Sequence, residues 1–498
     1  MRRKIELRKL IETHNRRLQK LKEQQASYGL STEPAILLEI ENIEAEIEKL
    51  QAELTKLEDI LKPTFPAQKI PISSKTRKVS TRAKINPFIF GSPVLPSSFV
   101  GREYLIDNFY NRLAGPVRTS VALSGETGSG KTSFAHYLIH VARQEQWGQP
   151  YTHNIFVYHD CRIIDEFTPK RFWYHILESI KYTEDGSTLD QEIDLFLDQS
   201  EINAGHIQRF LRWLNKKQCS LVLILDEFEH IVESQTTNRH ILLDFLSSLR
   251  ALTNLPDCTL TLLTFTREPL NVIVSDTVRD LPGSYFYNNF AFETLPPLTS
   301  NETDMFLERV LEDVEFKFDN TDRDFLQRVA GCHPALLQIY CHYLFEIRRQ
   351  GVGGSSVYKI VLQQSERSAQ HYFDRFWYGS SHQSRAILIL LLVLSMLAKL
   401  ELNSNLSASE IERSLEQYWG ELSRLIELGL VKNINDNYSV FSTTFSWWII
   451  GQISKDKTEY PKLSNENTLN KAKSVLEQLI PQLELNEYAE IVFTQLQK

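Results

Sequence analysis

Apolar residues recur along this chain in three rhythms, and each predicts a different kind of element. From 36 to 61, Ile36, Ile40, Ile43, Ile47, Leu50, Leu54, Leu57 and Leu61 keep an unbroken 4-3 spacing, the seam of a coiled coil. Leu7, Ile11, His14, Leu18 and Leu21 give a matching upstream seam, with His14 read as a packed residue. Gly29 would stop the first helix, Ser31 or Thr32 would cap the second, and Pro34 falls in its first turn. The second rhythm is continuous: 119–124 (TSVALS), 220–225 (SLVLIL) and 259–265 (TLTLLTF) are short apolar or β-branched runs. Such runs mark parallel strands buried on both faces. The third is helical, over 133–144, 334–348, 386–398, 408–418 and 420–428, the last with Gly429 at its C-terminal stop. Strands over 430–434 and 438–442 flank a turn at 435–437, and two short helices (469–479 and 486–497) end the chain.

Charge sharpens the first unit. Residues 1–28 hold nine Lys/Arg against three acids, and 33–62 hold nine acids against three bases. A basic helix lying antiparallel on an acidic one makes residues 1–62 an α-helical coiled-coil hairpin, either an oligomerisation device or an adaptor that docks a separate partner. The stretch 63–98 is rich in Pro and Ser, with six bases and no acid, and reads as a linker. Its solvated bases are the plain reading, and contact with nucleic acid or an acidic membrane the sharper one. Its end, 86–91 (NPFIFG), is apolar and is expected to lie against the following domain. Against a total of −8, residues 99–498 therefore carry about −14, which disfavours a general nucleic-acid-binding surface.

The 498 residues are 42% hydrophobic and 24% charged, ordinary for a chain of several domains. Five cysteines without CxxC spacing indicate neither a disulfide framework nor a zinc site, and a reduced, cytoplasmic setting is expected. The run 386–398 (AILILLLVLSMLA) is too short to cross a bilayer. No signal peptide and no 30–45-residue repeat is visible.

The candidate chemistry begins at Gly125, Glu126, Thr127, Gly128, Ser129, Gly130, Lys131 and Thr132, a complete GxxxxGKT phosphate-binding loop. It stands between a predicted strand and a helix starting at Ser133, so that backbone N–H groups and a helix N-terminus would wrap phosphates. Lys131 would reach the β- and γ-phosphates, and the Thr132 hydroxyl would ligate Mg²⁺. The run at 220–225 ends in Asp226 and Glu227, where ligands of parallel sheets sit. Asp226 would hold the Mg²⁺ through water, and Glu227 would orient or deprotonate an attacking water. Together these residues predict an ATPase with ATP/ADP and Mg²⁺ as cofactors.

Three further segments carry a family resemblance. Phe99-Val100-Gly101-Arg102-Glu103 looks like the FVGRE box shared by STAND signalling ATPases and origin-recognition-type initiators of the AAA+ class. That likeness implies that Phe99, Val100 and Arg102 line an adenine pocket. The run at 259–265 continues to Thr266 and Arg267, which resemble the sensor-1 pair that reads the γ-phosphate; the plain reading is an arginine capping a strand end. Gly331-Cys332-His333-Pro334 looks like the GxP segment of STAND ATPases, whose proline packs on adenine, and carries no sensor-2 arginine of the initiator kind. His333 is left between facing the nucleotide and a structural place.

The resulting fold class is an α/β P-loop NTPase core (parallel sheet) with a helical lid and winged-helix domain, preceded by the hairpin. The expected domains are 1–62 hairpin, 63–98 linker, 99–298 ATPase core, 299–375 lid, 376–455 winged helix and 456–498 tail. The would-be recognition helix carries Glu421, Arg424 and Glu427, acidic where a groove-reading helix is basic, and is read as a packing module. Where STAND proteins often place a wing histidine, this chain has Val440-Phe441-Ser442. The resemblance implies a switch, closed with ADP and opened by ATP·Mg²⁺, that forms a homo-oligomer or recruits a protein effector through the hairpin. The alternative is an initiator-like DNA-binding ATPase using linker and wing. A third reading is a scaffold that never hydrolyses. No membrane partner is expected.

Overall fold

A computed structural model describes Ile43 and residues 86–455, except 116–117, 144–153, 184–187, 198–201, 234–237, 256–259, 279–285, 315, 401–407 and 436. The hairpin of 1–62, the linker before 86 and the tail of 456–498 lie outside the described residues. The chain divides into two units, Met1–Lys78 and Val79–Lys498, and the sheet with the helices around it belongs to the second.

Helix α1 (Glu103–Ala114) leads into β1 (Ser120–Ser124), α2 (Lys131–Arg143) and β2 (Asn154–Asp160). Then come α3 (Pro169–Thr183), α4 (Thr188–Leu197), α5 (Ala204–Lys216), β3 (Ser220–Asp226), α6 (Glu229–Val232), α7 (Arg239–Asn254), β4 (Leu260–Thr266), α8 (Leu270–Val278) and β5 (Phe290–Thr294). The five strands form one parallel sheet in the order β2-β3-β4-β1-β5.

On one face Val222, Ile224, Leu263 and Phe265 pack with Phe109 of α1 and Phe134 of α2. On the other, Leu221, Leu223, Leu225 and Leu262 meet Phe172, Phe210 and Phe245 of α3, α5 and α7. Helices on both faces explain why the three central strands are apolar without alternation. The edge strands β2 and β5 are additions to the sequence reading, although β2 carries the apolar run 155–158 (IFVY). Phe292 of β5 is exposed and β2 ends in buried His159 and half-buried Asp160.

Beyond β5 follow α9 (Ser300–Val310), α10 (Asn320–Ala330), α11 (Pro334–Arg349), α12 (Ser356–Tyr378), α13 (His382–Leu400), α14 (Ala408–Gln417) and α15 (Trp419–Glu427). An antiparallel pair, β6 (Val431–Ile434) and β7 (Asn437–Val440), and then α16 (Thr443–Lys455) complete the described chain. These elements share one hydrophobic core. The expected boundary at 375 falls inside α12, because its apolar face continues through the buried Phe376 and Trp377 to Tyr378. Thr299 caps α9 in a reciprocal box with Glu302, and Asp319 caps α10.

The segment from Asn86 belongs with these helices by packing, although composition groups it with the linker. Phe88 is 1% exposed among Phe306, Phe318 and Phe345. The Asn86 side-chain amide donates to the carbonyl of His342 (3.0 Å) and to Glu346 (2.9 Å).

The turn between α10 and α11 is tightly packed. Gly331 ends α10 in the left-handed region (φ +63°), the usual helix stop, and Pro334 opens α11. The carbonyl of Val329, in the last turn of α10, has no partner to accept from further along its own helix. It accepts instead from Ser442 Oγ (2.6 Å) and Thr444 Oγ1 (2.7 Å) at the start of α16. A Cβ on Gly331 would stand 2.3 Å from the Phe441 carbonyl oxygen. We therefore expect Gly331→Ala to combine left-handed strain with a backbone clash and to lower stability by about 2–4 kcal/mol. Urea unfolding at fixed slope measures the loss; wild-type stability in the variant would refute the contact.

Candidate functional site

The loop between β1 and α2 is shaped by its glycines. Gly128 (φ +81°) and Gly130 (φ +100°) adopt backbone angles that L side chains rarely take. Gly125 N–H donates to the Thr266 carbonyl (3.1 Å), which pins the loop to the end of β4. Lys131 opens α2, and its ammonium donates to the Gly125 carbonyl at 2.7 Å. Thr132 Oγ1 donates to Asp226 Oδ2 (2.6 Å) across the tops of two strands that are not neighbours, since β4 lies between β1 and β3.

Asp226 is fully buried. Its Oδ2 also accepts from the Tyr158 hydroxyl at 2.9 Å, and its Oδ1 accepts from Glu227 N–H at 3.1 Å. Glu227 sits in the left-handed region (φ +52°), a costly conformation for a residue with a side chain. It turns the chain off the strand and leaves the half-buried Glu227 on the wall of a cavity.

That cavity has a volume of about 660 Å³, a size typical of small-molecule sites. Of the sequence-predicted residues, Phe99, Val100, Arg102, Thr127, Gly128, Ser129, Gly130, Lys131, Thr132, Ser133, Glu227 and Pro334 line it. Gly125, Glu126 and Asp226 are not on the wall. Burial raises the Glu126 carboxyl above its usual range, and its Oε1 accepts from Thr127 N–H. Arg102 is 7% exposed and its Nη1 donates to the Pro297 carbonyl (3.2 Å). Burial lowers its guanidinium to about 10. Its backbone N–H donates to Glu302, which ties the segment to α9. Arg102 Nη2 and Ser129 Oγ are buried without a protein partner, two donors on the cavity wall with hydrogen-bonding capacity to spare.

Arg267 is not among the lining residues. Its backbone N–H donates to Glu229 Oε1 (2.9 Å), and its guanidinium lies 3.8 Å from Glu268. A Cβ on Gly379, in the turn between α12 and α13, would stand 2.1 Å from Arg267 Nη1. The Thr266 hydroxyl donates to the Glu268 carbonyl. His333 is 2% exposed, packed on Phe376 (5.3 Å) and Phe441 (6.1 Å), and burial lowers its imidazole to about 3. Of its two sequence readings, this is the structural place.

Several wall residues escaped the sequence analysis: Phe90, Tyr158, Arg162, Gln338, Tyr372 and Arg375. Tyr158 and Arg162 lie in or just after β2, the unread edge strand. Arg162 forms a two-point ion pair with Asp160 (3.0 and 2.7 Å). Gln338 stands one turn after Pro334 on α11, a spacing that could have found it. Tyr372 and Arg375 are three residues apart on α12 and carried no signal. Tyr372 reaches the loop itself, since a Cβ on Gly128 would meet its ring at 2.7 Å.

These residues fit a nucleotide with Mg²⁺. The fit rests on a glycine loop at a helix start, a lysine within it, a hydroxyl–carboxylate pair, two unpartnered buried donors and a cavity of matching size.

Glu229 adds a titratable group behind the site. Burial, with Glu227 beside it, raises its carboxyl from 4.5 to about 7. The folded state then keeps a proton that the unfolded state has lost, so this group's contribution to stability falls as pH rises from about 4.5 to 7. Glu229→Gln keeps an acceptor for Arg267 N–H. The variant should gain melting temperature over wild type progressively across that window and hold the gain above it. Thermal melts against pH test this, and a constant difference would refute it.

Residues 98–259 match the family model of the AAA ATPase domain. No curated protein matches the chain. Among solved structures, a Walker-type ATPase of Pyrococcus abyssi is similar at 14% identity and TM-score 0.48, over 73% of this chain and 99% of that one. The Aeropyrum pernix ORC2 protein in its ADPNP–ADP complexes gives 16% and 0.41, over 76% and 93%. The Thermotoga maritima RuvB Holliday junction branch migration motor gives 13% and 0.33, over 69% and 92%.

Proposed function

We propose that this chain is a STAND-type ATPase switch whose C-terminal module closes onto the nucleotide site. In this reading α9–α12 are the lid, and α13–α15 with β6, β7 and α16 are a winged helix used for packing. Lys131 binds the β- and γ-phosphates. Thr132 and Asp226 hold Mg²⁺, which when bound neutralises charge on the phosphate oxygens. Glu227 orients or deprotonates the attacking water, and Arg267, off the cavity wall while its guanidinium faces Glu268, would reach the terminal phosphate only once the module opens. Phe99, Val100, Arg102 and Pro334 form the base pocket.

The observation that carries the reading is the Arg424–Glu268 pair. Arg424 of α15 donates to both carboxylate oxygens of Glu268, at 2.6 and 3.0 Å. Glu268 directly follows Thr266 and Arg267 at the end of β4. A module anchored there is tied to the segment that the family resemblance assigns to γ-phosphate sensing. Two-point guanidinium–carboxylate pairs are directional and break as a unit, which suits a latch.

The same pair weighs against the DNA-binding alternative. Arg424 is the one basic residue of α15, and it is spent inside the molecule. Glu421 of that helix accepts from Ser381 (2.7 Å) at the head of α13. After opening, the N-terminal hairpin would cluster as a homo-oligomer or recruit a protein effector, where avidity multiplies weak contacts. A cytoplasmic setting goes with this reading, and no helix among the described residues is long and apolar enough to cross a membrane.

Freshly purified protein should carry near-stoichiometric ADP, extracted by denaturation and quantified by chromatography, and Lys131→Ala should carry none. Arg424→Ala should release ADP roughly 10-fold faster, the size of a typical coupling between sites. An empty wild-type site would overturn the ADP-closed switch, and salt-sensitive stimulation of hydrolysis by duplex DNA would then support the alternative.

A further inference from the structure

We infer that Tyr158 is a positioning residue for magnesium, holding the Asp226 carboxylate in register with Thr132. The inference rests on the nucleotide-site reading above and assigns a residue that no motif in the sequence marks.

The geometry is a shared oxygen. Asp226 Oδ2 accepts from Thr132 Oγ1 at 2.6 Å and from the Tyr158 hydroxyl at 2.9 Å, while Oδ1 accepts from Glu227 N–H. Three donors from three elements therefore fix both oxygens of one buried carboxylate. Thr132 comes from the start of α2, Tyr158 from β2, and Glu227 from the turn after β3. Thr132 and Glu227 N–H hold one oxygen each, and the Tyr158 hydroxyl adds a second donor on Oδ2, the oxygen shared with Thr132. Groups that hydrogen-bond a metal-binding carboxylate set its orientation, and their loss commonly weakens the metal site.

Tyr158 is itself held in place. β2 pairs with β3 so that Tyr158 lies opposite Ile224 and Asp160 opposite Asp226. The phenol must therefore reach along the strand to meet Asp226. His136 of α2 stands edge-on to the Tyr158 ring at 5.1 Å, bracing it from the helix that also carries Thr132. Both rings line the cavity, so the hydroxyl works beside the bound phosphates and not in the core.

Tyr158→Phe removes the hydroxyl and keeps the ring. In the full chain, ADP or a non-hydrolysable ATP analogue is titrated with and without EDTA, and binding is followed against Mg²⁺ concentration. The variant should need roughly 10-fold more Mg²⁺ for half-maximal effect, while its nucleotide affinity in EDTA and its melting temperature without ligand stay near wild type. Equal Mg²⁺ midpoints would overturn the inference, as would a lower midpoint in the variant. Parallel losses in EDTA and in melting temperature, with no shift of the midpoint, would make Tyr158 merely structural. If wild-type protein itself binds no nucleotide, or binds with no Mg²⁺ dependence, the nucleotide-site reading fails first, and the two failures are told apart.

Discussion

The turn from Gly331 to Pro334 is pressed from two sides, and the arrangement of the molecule depends on it. On one side a side chain on Gly128 would meet His333, Ala335 and Tyr372 within 3 Å, and Ala335 N–H donates to the Gly128 carbonyl (3.2 Å). On the other, Gly331 leaves no room between itself and Phe441. The phosphate loop and the C-terminal module thus touch opposite faces of one four-residue elbow. The elbow is close-packed on both faces, as protein interiors are. His333 fills the space between Phe376 and Phe441 as a neutral ring. A charged side chain there would be desolvated without a counter-charge.

The second organising feature is the position of β4. Lying between β1 and β3, it brings Thr266 beside Ser124 and directs the residues after it toward the gap between the phosphate loop and Asp226. Glu229 holds the start of this exit through Arg267 N–H, and Arg424 holds its end through Glu268. Arg267 lies between these anchors and beside Gly379, the turn from which the C-terminal module departs. A displacement of that module therefore changes the surroundings of Arg267 directly.

How much of this was legible followed from how local each signal is. The phosphate loop, Asp226 and Glu227 announce themselves because a strand, a turn and a helix start are adjacent in the chain. The central strands were legible because burial on both faces leaves a continuous apolar run. The edge strands β2 and β5 were not read, although β2 carries the apolar run 155–158, and with β2 went Tyr158 and Arg162. Arg267 looked like a cavity residue from the polar end of its strand. Its side chain was redirected by Glu268 and Gly379, which no local pattern joins. The apolar piece at 86–91 was expected to lie against the next domain. It packs on helices more than two hundred residues downstream, with Phe88 among Phe306, Phe318 and Phe345.

The sequence by itself determined the kind of site and the elements that flank it. Glycine conformation, strand burial and helix stops are properties of a few neighbouring residues, and they hold wherever those residues are placed. Only the tertiary structure decided which distant groups complete the site: Tyr158 on the Asp226 carboxylate, Tyr372 and Arg375 on the wall, Arg424 on Glu268. Those pairings join segments 68 and 156 residues apart in the two cases bonded most directly, Tyr158–Asp226 and Arg424–Glu268. A side chain's reach across such separations is set by sheet order and helix packing, and neither leaves a trace in the spacing of residues along the chain.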